Sequence, residues 1–153
     1  MLMSILKGAA AGAAGTTALN VTTYLDMTVR ARRTSSTPED TVEKLAEISH
    51  IGIPGQGEER DNRVAGLGPL SGIVTGVGVG ALLGLTRAIG WRPPVALGAV
   101  AATVLALVGA NGPMAALGIS DPRTWSLQDW AADVVPHLAY GLVAAATLDG
   151  LDS

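Results

Sequence analysis

Residues 64–86 read VAGLGPLSGIVTGVGVGALLGLT and contain no Asp, Glu, Lys or Arg. About 20 apolar residues in a helix suffice to cross the 30 Å hydrocarbon core of a bilayer. Five glycines recur in the stretch at intervals of four, and on a helix such positions share one face. Residues 64–86 therefore predict a transmembrane helix with a smooth face, called here the glycine stripe and formed by Gly68, Gly72, Gly76, Gly80 and Gly84.

The glycine stripe is typical of a surface along which a second helix approaches closely. Lipid tails provide no hydrophobic force that would pair helices, so van der Waals contact over such a face is what remains. We expect the stripe to pack against the first or last span of the same chain, and Gly8 and Gly12 give the first span a shorter version of the same face. The alternative is a homo-oligomer joined through the stripe.

Residues 73–81 also resemble a strand followed by the glycine turn of a dinucleotide-binding site. That site needs an acidic residue about 20 positions further on to hold the ribose, and no Asp or Glu occurs between Asp61 and Asp121. The chain also lacks the alternating strands and helices of a parallel sheet. We therefore favour the packing interpretation and expect no cofactor.

Three further stretches, residues 8–25, 93–120 and 134–148, are also free of charged side chains. Only 15 % of the chain is charged and its mean hydropathy is +0.39, whereas soluble domains carry about 25 % charge. The first and last stretches reach spanning length only if Asp26 and Asp133 lie within the spans. The sequence predicts an all-α integral membrane bundle of four transmembrane helices, a single domain over residues 1–153 with spans at about 8–29, 66–86, 94–119 and 127–149.

A secretory signal peptide is the alternative for the first stretch. Lys7 and the small residues after it fit such a signal loosely. However, residues 8–15 are nearly all Ala and Gly and lack the apolar core of a signal peptide. We therefore expect the first span to be retained.

The polar loop 30–65 is predicted to contain a short amphipathic helix. Thr37 can cap this helix, Pro38 fits its first position, and the turn at residues 53–57 follows it. Helical spacing places Val42, Leu45, Ala46 and Ser49 on one face and Glu39, Glu43 and Glu47 on another. We expect the helix to lie against the membrane or the bundle, because its acidic face does not suit a polybasic lipid anchor. The sequence does not identify a protein partner for this loop.

The distribution of Lys and Arg predicts the orientation. Loops on the cytoplasmic side of a membrane protein carry an excess of both residues. Six basic residues flank the first and third loops, namely Arg30, Arg32, Arg33, Arg60, Arg63 and Arg123. Three lie on the opposite side, namely Lys7, Arg87 and Arg92. We therefore expect a plasma (inner) membrane protein with the long loop in the cytoplasm and both termini outside. Trp91, Trp125 and Trp130 lie at predicted span ends, where indole rings prefer the interface.

Several polar side chains are predicted to lie at membrane depth, where ionisable groups are costly. Ser126 and Asp129 have the spacing of a capping box, and a last span that starts after it, near Leu127, places His137 about 15 Å deep. Antiparallel threading brings Asn20, Asp26, Asn111 and Asp133 into the same half of the bilayer as His137, and we expect nothing comparable in the other half. The candidate residues are Asn20, Asp26, Asn111, Asp133, His137 and Tyr140.

Two interpretations of these polar residues compete. In the first, His137 and Asn20 make hydrogen bonds between helices and Asp26 pairs with Arg30, so that the chain only packs or assembles. In the second, Asp133 and His137 line a wet cavity, and a helix break at residues 111–113 supports a proton-coupled or small-solute transporter, channel or sensor. We favour the assembly role and keep the transport role as the alternative.

Composition and motifs argue against other classes of function. The chain has no Cys, which excludes thiolate catalysis and Cys-ligated metals. Its two His residues, His50 and His137, are far apart, and His50 is most simply a solvated residue at the end of the loop helix. No nucleophile elbow, zinc-protease motif or P-loop is present. The net charge of −3 offers no basic footprint for nucleic acid. We therefore expect no catalysis, no metal and no nucleic-acid partner.

Several short segments carry a resemblance to known membrane proteins. Residues 16–20 (TTALN), 23–27 (TYLDM) and 57–60 (GEER), together with the glycine stripe, resemble uncharacterised small multi-pass membrane proteins of high-GC Gram-positive bacteria. Residues 135–141 (VPHLAYG) resemble their last helix and are similar, more loosely, to the final helix of YagU-like inner-membrane proteins. The first resemblance covers most of the chain and the second about its last 25 residues. The resemblance implies a plasma-membrane location, and it implies no reaction and no catalytic residue.

Overall fold

The computed structural model describes residues 1–152, which form helices joined by turns and one longer loop. A single 3-10 turn covers Pro122–Thr124 between the last two α-helices. No strand occurs among residues 1–152, so the predicted all-α class is confirmed. The α-helices are α1 (Leu2–Arg30), α2 (Thr37–Ser49), α3 (Glu58–Ala88), α4 (Val95–Ala116) and α5 (Leu127–Asp152).

Three of these helices, α3, α4 and α5, are long and apolar enough to cross a bilayer. With 31, 22 and 26 residues, they measure about 46, 33 and 39 Å at the 1.5 Å rise of an α-helix. These three helices indicate a membrane protein. The first predicted span, α1, has 29 residues but is not among the three candidate spans.

The four long helices form a closed ring. Helix α1 packs against α3 and α5, and α4 packs against the same two helices from the opposite side. Neighbouring helices run antiparallel, since Gly8 of α1 faces Gly84 of α3 whereas Gly12 faces Gly80. Up-and-down order is the arrangement of a simple four-helix bundle, here with one long connection, residues 31–57, that contains α2.

Small side chains fill most of the bundle interior. The exception is Tyr140 of α5, which is 0 % exposed and is the largest fully buried side chain among the described residues. Small residues at helix contacts let the backbones approach closely. The buried hydrophobic cluster comprises Ala11, Val79, Leu83, Ala102, Ala106, Tyr140, Ala144 and Leu148.

The helix predicted in the long loop is present as α2, but its ends differ from the prediction. Ser36 is the N-cap, Thr37 is already helical and Pro38 takes the second position rather than the first. The backbone N–H of Thr37 donates a hydrogen bond to the Ser35 hydroxyl. The helix therefore begins one residue earlier than predicted. The helix ends at His50, which is exposed and has a left-handed backbone with φ of 57°.

Helix α2 lies on the first half of α3 with part of its acidic face turned inward. Glu43 accepts a hydrogen bond of 2.6 Å from Arg60 of α3, and the Glu39 side chain lies against Gly68. In contrast, Leu45 and Ile48 are about half exposed. The apolar face of α2 is therefore only partly buried, since Val42 and Ala46 are half-buried whereas Leu45 is exposed.

Two turns fix the ends of the spans. Gly90 after α3 adopts φ of 98°, a left-handed conformation that glycine reaches without a steric penalty. Before α5, the Ser126 hydroxyl accepts from the Asp129 N–H at 3.2 Å while the Asp129 carboxylate accepts from the Ser126 N–H at 3.0 Å. The capping box predicted for the last span is therefore confirmed.

The loop between α4 and α5 contains an exposed ion pair. Arg123 donates side-chain hydrogen bonds to both carboxylate oxygens of Asp121, and the Arg123 backbone N–H donates to one of them. These bonds hold the pKa of Asp121 below its usual range. The stabilisation is therefore present above the ordinary Asp pKa and is lost as the pH falls through the lowered value. Because both side chains are well exposed, the pair contributes little to folding.

Candidate functional site

A cluster of three polar side chains joins α4 to α5. The Asn111 amide donates a hydrogen bond to Oδ2 of Asp133, with N and O 2.8 Å apart. The other carboxylate oxygen lies 3.4 Å from Nδ1 of His137, and the Asp133 and His137 side chains are only 19 % and 10 % exposed. Asp133 lies six residues after the start of α5, about 9 Å along the helix. Asn111, Asp133 and His137 are called here the polar cluster.

The ring of His137 is oriented by a hydrogen bond within its own helix. Nδ1 lies 2.7 Å from the backbone carbonyl of Asp133. A carbonyl oxygen only accepts, so Nδ1 carries the proton and Nε2 has the free lone pair in the neutral ring.

The hydrogen bonds between helices are not made by the residues that were predicted to make them. His137 bonds to its own helix, and no side-chain hydrogen bond joins Asn20 to another residue within 1–152. The link between α4 and α5 is made instead by Asn111 and Asp133. Asn111 and Asp133 lie near one end of antiparallel helices, at the same depth, which is why they meet.

The helix break predicted at residues 111–113 is wrong. Helix α4 continues through Asn111, Gly112 and Pro113 to Ala116. A proline inside a helix removes one backbone hydrogen bond, which neighbouring helices can tolerate in a transmembrane segment. The broken-helix argument for a transport site therefore does not apply to α4.

Tyr140 connects α5 to α3 across the centre of the ring. Its hydroxyl donates a hydrogen bond of 2.6 Å to the backbone carbonyl of Gly76. A Cβ placed on Gly15 of α1 would lie 2.8 Å from the ring, and one placed on Gly76 would lie 3.4 Å from it. Two glycines on two helices therefore make room for the ring of Tyr140.

Asp26 lies on the same end of the bundle but outside the polar cluster. Its carboxylate accepts hydrogen bonds from Arg30 at 2.6 and 2.8 Å and from Arg32 at 2.9 Å. The predicted pair with Arg30, one turn on, is therefore present. Of the six predicted polar residues, the structure joins Asn111, Asp133 and His137, and leaves Asn20, Asp26 and Tyr140 with separate surroundings.

The opposite end of the bundle carries charged residues that the sequence analysis did not expect. Lys7 of α1 lies 3.4 Å from the carboxylate of Asp152 in α5. Arg87 of α3 lies 3.8 and 3.9 Å from Asp149 and Asp152, and its side chain is only 8 % exposed. One oxygen of Asp152 is buried without a hydrogen bond among the described residues. The expectation that this half holds nothing comparable is therefore wrong.

The sequence contains a signal for the buried position of Arg87 that charge counting alone misses. Arg87 follows Gly80 by seven residues and Gly84 by three, so it continues the same face of α3 as the glycine stripe. That face is turned toward α1. A cavity of about 10 Å³, the size of one water molecule, lies beside the Arg87 side chain.

The members of the glycine stripe differ in what they contact. A Cβ on Gly80 would lie 2.5 Å from the Cα of Gly12, and one on Gly84 would lie 3.0 Å from the Cα of Gly8. Gly76 lies against Thr16 of α1 and Gly68 against Glu39 of α2, whereas nothing lies within 4 Å of a Cβ on Gly72. Three of the five positions are therefore covered by α1 of the same chain.

The side chains present offer limited chemistry. No group of three or more His, Asp or Glu suited to a metal occurs in residues 1–152. The polar cluster provides one imidazole and one carboxylate, which can hold a proton or bind a small polar group. No family model, curated protein or solved structure matches the chain. The resemblance to small membrane proteins of high-GC Gram-positive bacteria and to YagU-like proteins therefore stays a prediction.

Proposed function

We propose that this chain is a four-span integral membrane protein of the plasma (inner) membrane that serves assembly and has no catalytic activity of its own. The observation that carries the proposal is the filled interior of the ring, where glycines meet glycines and one tyrosine occupies the centre. In the polar cluster, Asn111 bonds to Asp133 between α4 and α5, and His137 bonds to the backbone of its own helix. A bundle of this kind is suited to holding its own shape and presenting surfaces to partners.

The outer face of α1 supports its role as the fourth span. The residues that α1 turns toward α3 and α5 are small, since its buried residues are Gly8, Ala11, Gly12, Gly15 and Thr16. The glycines and Thr16 of this set, together with the half-buried Asn20, lower the mean hydropathy of the helix. Apart from Arg30 at its last position, the exposed large side chains of α1 are apolar or amphipathic: Leu2, Met3, Leu6, Val21, Tyr24, Leu25 and Val29.

Single cysteines test whether α1 spans the membrane. The native chain has no Cys, so Leu2→Cys and Ser35→Cys each give one thiol at an exposed position at either end of α1. With α1 as a span, we expect an impermeant maleimide to label Leu2→Cys only from outside the cell and Ser35→Cys only from the cytoplasmic side. Labelling of both from one side would contradict the fourth span, and reversed labelling would contradict the proposed orientation.

A transport role centred on the polar cluster is the second candidate. The specific observation in its favour is the carboxylate of Asp133, 3.4 Å from an imidazole whose Nε2 carries the free lone pair. Such a pair at membrane depth is suited to relaying protons. Because Asn111 holds the carboxylate at 2.8 Å, it would act as a positioning residue in such a relay.

Proton flux in proteoliposomes separates the two candidates. Under the assembly role, wild type and Asp133→Asn are both expected to give the flux of empty liposomes under an imposed pH gradient. Flux that is present in wild type, lost in Asp133→Asn and kept in Asp121→Asn would establish the transport role instead. Asp121→Asn is the matched control, because it makes the same chemical change in an exposed loop.

A further inference from the structure

An open groove lies between α2, the loop that follows it and the first part of α3. Its volume of about 630 Å³ falls in the range of about 300–1,000 Å³ typical of binding pockets. Most of the lining is apolar, and several of these side chains are exposed, including Leu45, Ile51 and Leu70. The large apolar lining residues are Val42, Leu45, Ile51, Ile53, Leu67 and Leu70.

The lining that α3 contributes changes from polar to apolar along the helix. Asn62 and Arg63 lie in its first two turns, and Leu67 and Leu70 follow Arg63 by one and two turns. Arg63 is also the last charged residue before the uncharged stretch 64–86, and α3 is long and apolar enough to cross a bilayer. The polar lining of α3 therefore lies toward the membrane surface and the apolar lining toward the hydrocarbon core.

Of the groove residues in the described part of the chain, only Arg63 is charged. Its guanidinium donates one hydrogen bond of 2.8 Å to the Pro54 carbonyl and one of 2.6 Å to the Glu59 carboxylate. A guanidinium has five N–H donors, so three remain after these two bonds, and the side chain is 42 % exposed. Phosphate oxygens are among the acceptors that such donors bind best. The charged end of the groove is therefore suited to a phosphate group.

We propose that this α2–α3 groove binds one phospholipid of the surrounding bilayer, with an acyl chain along Leu67 and Leu70 and the phosphate on Arg63. The order of polar and apolar lining along α3 matches the order of phosphate and acyl chain in a phospholipid. Basic side chains beside apolar surface at the edge of a membrane bind lipid headgroups in this way. The inference adds a lipid site to the proposed assembly function and requires only that α3 spans the membrane.

A second copy of the chain is the competing occupant, because a helix face also covers apolar side chains. However, the groove is continuous with the outer surface of α3, where Leu70, Ile73 and Val74 are all exposed. In a membrane-spanning helix that surface is already in contact with lipid. A phospholipid therefore reaches the groove without any new protein interface.

Two glycines of α3 provide a matched pair of variants for the acyl chain. Gly66 lines the groove and Gly72 does not, and nothing lies within 4 Å of a Cβ on either residue. Gly66→Trp is therefore expected to fill the groove without disturbing the helix contacts. Gly72→Trp adds the same indole elsewhere on the same helix.

The two members of one ion pair provide a matched pair of variants for the phosphate. Arg63→Gln and Glu59→Gln both break the bond between these side chains. Only Arg63→Gln also removes the donors that face the groove. A role of Arg63 that is limited to its bond with Glu59 predicts equal effects of the two substitutions, whereas a phosphate site predicts a loss in Arg63→Gln alone.

The probe is dioleoyl phosphatidylglycerol, and native mass spectrometry of the full chain in dodecyl maltoside measures its binding. We expect wild type, Gly72→Trp and Glu59→Gln to bind the first lipid with similar affinity. Binding to Gly66→Trp and to Arg63→Gln is expected to be at least about tenfold weaker, because the first loses the space for the chain and the second loses charged hydrogen bonds.

Three results would overturn the inference. These are equal affinity of the two tryptophan variants, equal losses in Arg63→Gln and Glu59→Gln, and a dimer that wild type forms in the same spectra and Gly66→Trp loses. Lipid binding in the groove is independent of where α1 lies. A failure here, with Leu2→Cys and Ser35→Cys still labelled from opposite sides, would therefore reject the lipid site and leave the four-span proposal intact.

Discussion

Gly80→Ile is expected to separate α1 from α3 and to destabilise the bundle by at least about 3 kcal/mol, at the upper end of overpacking effects. A Cβ at this position would lie 2.5 Å from the Cα and 2.6 Å from the N of Gly12. Both atoms belong to the backbone, so no side-chain rotation can relieve the contact. Unfolding by SDS titration in mixed micelles measures the loss.

Gly78→Ile is the control for this substitution. It introduces the same branched side chain two residues away on the same helix, and nothing lies within 4 Å of its Cβ. We expect the free energy of unfolding to change by less than about 1 kcal/mol, the range of helix propensity effects. Equal losses in the two variants would show that propensity is responsible, rather than the contact with α1.

The same pair of variants also tests the homo-oligomer. If copies of the chain pair through the glycine stripe, Gly80→Ile would abolish cross-linked oligomers while the monomer stays folded. If α1 covers the stripe, as Gly8 and Gly12 do in the structure, then the monomer itself loses stability. The two results are distinguished by combining cross-linking with the unfolding measurement.

The sequence predicted the helices well because the signals for them are local. The charge-free stretches predicted the long helices, and the Ser126–Asp129 pair predicted the start of α5, where the two side chains are bonded. The glycine periodicity indicated a close approach but not its extent. Gly72 has the same spacing as Gly80, yet Gly80 faces α1 whereas nothing lies within 4 Å of a Cβ on Gly72.

The polar contacts were harder to predict because they depend on the depth and rotation of several helices at once. Asn111 and Asp133 were both singled out, but that they bond to each other follows only from the placement of α4 against α5. The burial of Arg87 depends similarly on α1 and α5 covering one face of α3. Helical spacing in a sequence predicts which face of a helix a residue occupies. The residue that it contacts on a neighbouring helix depends on how the helices pack.

Tyr140→Ala is expected to cost about 3–5 kcal/mol, the usual effect of replacing a buried aromatic side chain by alanine. The ring is 0 % exposed and lies against Gly15 and Gly76 on two different helices. Neither glycine has a side chain that could move into the space. A cavity would therefore remain at the centre of the ring. SDS unfolding of the variant measures the cost, with Tyr24→Ala as the control, because Tyr24 is 59 % exposed and should have little effect.

Tyr140→Phe separates the hydrogen bond from the packing. It keeps the ring and removes only the bond of 2.6 Å to the Gly76 carbonyl, so we expect a loss of about 0.5–1.5 kcal/mol. A loss as large as that of Tyr140→Ala would mean that the hydroxyl, rather than the ring, holds α5 to α3. If the Phe variant is stable but abolishes a proton flux that wild type supports, the hydroxyl serves the pathway of Asp133 and His137, and the interior of the bundle conducts rather than merely packs.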